Sequence, residues 1–189
     1  NAHILSLSAS QSDNDIMDWP AVCDDEGSIN WEECDDDEIR RITAQKEAAC
    51  APNYYQVNSG CLKEDSYLNK FFQKFWTDIY PEYYYGGNQI MSTNEFHQKY
   101  YDQFVTWYAA SHPSEDIAES FRAFILWDDE AIDNHKKWCK KEGWGNFIQN
   151  QGLTYEKKCE KIYRDNSIWE EKIRFFYDFP ELVEMRDFI

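Results

Sequence analysis

The chain has 189 residues and a formal net charge of -17, so it lacks the basic face that phosphate binding needs, and nucleic acid is excluded as an expected partner. No run is long and apolar enough to cross a bilayer, so no membrane span is expected. The length points to a single domain over 1–189 with room for a real core, and a 17% aromatic content supplies large rings for it although mean hydropathy is only -0.80.

Taken in order, residues 1–11 (NAHILSLSASQ) read as the end of a helix running into a polar turn. Residues 12–38, rich in Asp and Glu with Gly and Pro, read as an acidic surface loop or insertion, and 39–49 as one short helix. Residues 50–61 form a loop tied off by a cysteine at each end. Leu68, Phe71, Phe72, Phe75, Trp76 and Ile79 then follow the spacing of one apolar helix face. Asp65 or Ser66 is the expected cap, and Pro81 helps to end the helix. Gly86 and Gly87 mark a turn. A second helix is expected over 94–106, carrying Phe96, Tyr100 and Phe104. After YAASHPS, Pro113 suits the first turn of a new helix that buries Ile117, Phe121, Phe124 and Ile125. Further helical segments fall at about 128–141, 154–164 and 167–178, with a final turn near 180–189. Strand signal is slight, so the fold class is mainly α as given.

Six cysteines are present and none forms CxxC, which points to three disulfides and an oxidising, secreted or extracytoplasmic location. Nearest-neighbour pairing, Cys23–Cys34, Cys50–Cys61 and Cys139–Cys159, is favoured among about fifteen connectivities. The run EGSINWEE (26–33) matches the second half of a calcium-binding loop, with Gly27, Ile29 and Glu33 in place. Val22 falls on the first ligand position and cannot coordinate. A solvated acidic loop is therefore the default there, with structural Ca2+ a secondary expectation.

The chemistry-bearing stretch is FVTWYAASHPSEDIAESFRAFI, residues 104–125. Glu115 and Glu119, four apart, share one face of a helix whose opposite face is apolar. Glu115 stands in the first turn, where the macrodipole favours an ionised carboxylate, the form a metal ligand needs. Taken alone, acidic residues in a first turn usually do no more than complement the dipole.

FVTWYAASHPSEDIAESF resembles the downstream signature of gluzincin zinc metallopeptidases. The same arrangement is found in secreted bacterial zinc-binding peptidases and in the catalytic domain of anthrax lethal factor. The resemblance implies that Glu115 is the third zinc ligand and that Glu119 orients a zinc-bound histidine. It implies that Tyr108 donates to the oxyanion. It implies too that NAHILSLSASQ continues an HExxH motif, with His3 as its second histidine and a His-Glu pair immediately before Asn1 that supplies the first ligand and the general base. On that reading 1–189 is the α-helical C-terminal part of a zincin-like α+β domain with disulfides, and this fragment is inactive alone. His97 reads as a surface residue, His112 as a loop residue and His135 as exposed on a polar helix.

The expected function is zinc-dependent hydrolysis of a protein or peptide substrate by metal-activated water. Two rivals stay open: a non-catalytic binding protein on the same scaffold, and an acidic, disulfide-linked calcium-binding or adhesion module.

Overall fold

A computed structural model describes residues 11–13, 36–57, 59–86, 88–134 and 167–189. Of these, 63% are helical, as the α-rich reading expects. The chain divides into two compact units, Asn1–Phe96 and His97–Ile189, and each is described by itself.

In the first unit α1 spans Asp36–Cys50. It starts earlier than the expected 39–49 because Asp36, Asp37 and Glu38 occupy its first turn, where acidic side chains suit the helix dipole. Arg40 pairs with Asp37 and Arg41 with Glu38, one turn on. Three short antiparallel strands follow the order β1-β3-β2, with β1 at Ser12–Asp13, β2 at Tyr55–Gln56 and β3 at Gly60–Leu62. The Cys50–Cys61 disulfide closes this loop as expected. Cys23, Cys34, Cys139 and Cys159 lie outside the described residues, as do residues 1–10, the calcium-loop match, His135 and the segment 154–164.

Helix α2 spans Tyr67–Phe75, and the Ser66 side chain accepts from Asn69 N–H as its cap. Another orphan donor of its first turn, Tyr67 N–H, donates to Gln11 Oε1 at 2.8 Å. Leu68, Phe71, Phe72, Phe75, Trp76 and Ile79 are all buried. Tyr54 stacks on Phe72 at 4.1 Å, and Tyr83 on Phe96 at 4.2 Å. Asn69, buried, accepts from Tyr54 N–H and donates to Asn53, which pins the loop to α2. The hairpin of β4 (Tyr84–Tyr85) and β5 (Asn88–Gln89) turns through Gly86 at φ +55°. A Cβ at Gly86 would stand 2.7 Å from the Arg40 carbonyl oxygen, so glycine is required there for space as well as for φ.

Helix α3, Thr93–Lys99, carries the boundary between the units. It is shorter than the expected 94–106. A capping box starts it: Glu95 accepts from Ser92 N–H and Oγ–H, and Ser92 Oγ accepts from Glu95 N–H. Beyond it, a turn closed by Gln103 N–H to Tyr100 O sends Phe104 and Val105 into the core of the second unit.

The second unit is built on α4, Pro113–Leu126, with Pro113 in its first turn. Ile117, Phe121 and Phe124 are buried, whereas Ile125 is only partly so. Residues 129–134 are helical. Helix α5 is Ile168–Arg174, running into a 3-10 turn at Phe175–Asp178. Phe176 sits 5.2 Å from Phe121 and 5.5 Å from Phe124. The expected final turn is a full helix, α6, Pro180–Phe188. Only Leu182 of it is buried, too few anchors to read as a helix period. Arg186 holds α6 by donating to the Trp127 carbonyl at 2.9 Å and lying over the Phe124 ring.

Candidate functional site

The segment Tyr108–Ser111 is a 3-10 turn ahead of α4. Thr106 Oγ1 accepts from Ala109 N–H, and Ser111 Oγ donates to the Tyr108 carbonyl. Ala109 and Ala110 are fully buried, and their small side chains let the turn lie close against α4. Tyr108 itself projects outward and is 50% exposed, so it is not a core aromatic.

His112 adopts extended backbone and caps α4. Its Nδ1 accepts from Ser114 N–H at 3.2 Å and pairs with Ser114 Oγ at 2.6 Å. An atom accepting a backbone N–H carries no proton, so the ring is neutral here, and burial pushes its pKa down to about 4. The His112 carbonyl accepts from both Glu115 and Asp116 N–H at 3.0 Å. His112 is thus the cap that fixes the turn carrying Glu115, a role its reading as a loop residue missed. His97, expected at the surface, is 2% exposed, with its ring 6.4 Å from that of Phe104. Burial lowers its pKa to about 4 as well. The surface reading fails because the buried Phe104 returns its ring to the side of His97.

Tyr108, Glu115 and Glu119 come together. The Tyr108 phenol lies close enough to Glu115 and Glu119 to feel their charges. The negative charge of Glu115, slight burial, the hydrogen-bonding influence of Glu115 and then the charge of Glu119 all raise the phenol above its ordinary pKa. Glu115 and Glu119 are both partly exposed, one turn apart, and Glu119 also pairs with Arg122 at 3.5 Å. The result is an open face with two carboxylates and a phenol that stays protonated at neutral pH.

Behind that face lies a buried ion pair. Lys172 Nζ stands 2.6 Å from Asp116 Oδ2, with both side chains at 0% exposure. Ser120 Oγ donates to Asp116 Oδ1 at 3.4 Å, and the ammonium lies 4.1 Å from the Phe104 ring centroid. Burial lowers the Lys172 pKa, and Asp116 opposes that shift. Neither residue was picked out from the sequence, although a signal existed. Lys172 falls among Trp169, Ile173 and Phe176 at helical spacing, and Asp116 and Ser120 fall beside Ile117, Phe121 and Phe124. Opposite charges set into two apolar stripes imply a buried partner for each.

His3 lies outside the described residues. Among the described residues no group of three or more His, Cys, Asp or Glu could hold a metal, and no helix is long and apolar enough to cross a membrane. The donors present, one open carboxylate with a second carboxylate and a phenol beside it, fit the Glu corner of a His2Glu zinc site. No family model, no curated protein and no solved structure matches the chain.

Proposed function

We propose that this chain carries the glutamate side of a zinc peptidase site and acts, with residues immediately ahead of Asn1, in hydrolysing peptide bonds outside the cytoplasm. The observation that carries this reading is the grouping of Tyr108 with Glu115 and Glu119, whose negative charges raise its phenol above the ordinary pKa. These are the three positions that the gluzincin resemblance marks. In the zincin-like domain so proposed, Glu115, His3 and an upstream histidine would hold the ion, and a glutamate of the same HExxH motif would be the base.

A zinc ion in such a site acidifies bound water and polarises the scissile carbonyl. The residues of this chain do the rest. Glu115 offers its carboxylate from the first turn of α4, which is held by the His112 cap. Glu119 would receive the N–H of a ligating imidazole and so fix its tautomer. Tyr108 keeps its proton because two carboxylates oppose its loss. On this reading its single proton is offered to the oxygen on which charge develops once Glu115 turns to the ion.

The test is cleavage of a mixed peptide pool by the full-length protein, read by mass spectrometry. Cleavage should stop with 1,10-phenanthroline, return with zinc, and be absent in Glu115→Gln. A correctly folded, zinc-supplied full-length protein that cuts nothing would favour the non-catalytic binding protein. A fold stabilised by calcium and indifferent to Glu115→Gln would favour the adhesion module.

A further inference from the structure

We propose that the buried Lys172–Asp116 pair is a positioning device that fixes the segment bearing Tyr108 beside the first turn of α4, which bears Glu115. Its functional meaning rests on the zinc reading, but its geometry does not. Lys172 reaches both segments that present the site. Its ammonium is 2.6 Å from Asp116, the neighbour of Glu115 on α4, and 4.1 Å from the ring of Phe104, one helical turn's length of chain before Tyr108. Asp116 is held on its other oxygen by Ser120, so its carboxylate is fixed on two sides.

The direction in which α4 presents its side chains follows from this. Residues one apart on a helix point about 100° apart. With Asp116 drawn inward to Lys172, Glu115 is turned to the open face, and Glu119 with it. The cation over Phe104 places the start of the 104–111 segment at the same point, which leaves Tyr108 within reach of Glu115. A charge pair is a costly way to gain stability, because well-packed apolar residues often serve as well. What an ammonium between a carboxylate and a ring face adds is direction: it defines one rotation of α4 and one position of the preceding segment together.

The experiment uses the full-length protein labelled with 13C-tyrosine, with the Tyr108 Cζ resonance assigned through Tyr108→Phe. In the parent, Glu115→Gln should move that resonance. In a background carrying Lys172→Met with Asp116→Leu, which leaves no charge buried alone, the same change should move it by less than half as much. Zinc affinity by competition with a chromophoric chelator should fall 10- to 100-fold in that background. The neutral hydrogen-bonding pair Lys172→Gln with Asp116→Asn is read in the same way and serves if the apolar pair does not fold. An undiminished Tyr108 response in a folded variant overturns the proposal, because a merely structural pair would leave the coupling intact. Absence of zinc binding in the parent defeats the metal reading alone, and the resonance still decides the positioning role.

Discussion

At the scale of single residues, the proposed chemistry rests on Tyr108 and its two carboxylates. The phenol cannot ionise easily beside Glu115 and Glu119, so on the proposed reading it acts as a donor and never as a base. Tyr108→Phe in the full-length protein should leave the fold and zinc content unchanged and lower kcat about 100-fold. Steady-state kinetics checks this, and full activity would remove Tyr108 from the mechanism. The buried His97 and the half-buried His112 make a second prediction. His97 and His112 have pKa values near 4 in the folded chain, against about 6.5 in an unfolded one. Between those values the unfolded chain binds more protons, so stability is intact above pH 6.5 and is lost as pH falls toward 4. For a fully buried ring such as His97 the loss is of order 3 kcal/mol. Urea unfolding at pH 7 and pH 4.5 should show it, and His97→Phe should flatten the slope. The site carboxylates were legible in the sequence because i, i+4 spacing places them on one face whatever the tertiary fold. The burial of His97 was not legible, because it depends on where Phe104 returns.

At the scale of elements, the helices that carry a full apolar face read correctly. The periodicity of α2 and the proline start of α4 specify both locally. Elements fixed by few or distant contacts did not. Helix α6 buries only Leu182, and α3 starts from the exposed Ser92–Glu95 box. The strands have two or three residues each, too short for an alternating pattern. The clamp behind the site joins residues 56 apart, so its partners could be suspected from the charged interruptions in two apolar stripes but not paired. The β4–β5 turn gives a prediction of its own. Gly86→Ala combines a left-handed φ with a Cβ 2.7 Å from the Arg40 carbonyl. It should cost about 1–3 kcal/mol, read as a fall in the thermal midpoint, with the Tyr108–Glu115 coupling untouched. A variant as stable as the parent would show that α1 and the hairpin separate there without cost.

At the scale of the whole molecule, a net charge of -17 gives a strongly acidic surface that attracts cations and repels polyanions. That property would serve the proposed metal site but does not select zinc, because calcium is drawn by the same charge. Selection rests on donor type. Carboxylates with imidazoles favour zinc, whereas calcium takes six to eight oxygens. The central claim is that Glu115 is a zinc ligand, and metal content tests it most directly. The full-length protein, purified without chelator and dialysed against metal-free buffer containing calcium, is assayed by inductively coupled plasma mass spectrometry beside its Glu115→Gln variant. The account predicts about one zinc per parent chain and less than a tenth of that in the variant, with thermal midpoints otherwise close. Equal zinc in both proteins, or calcium in place of zinc, would contradict it.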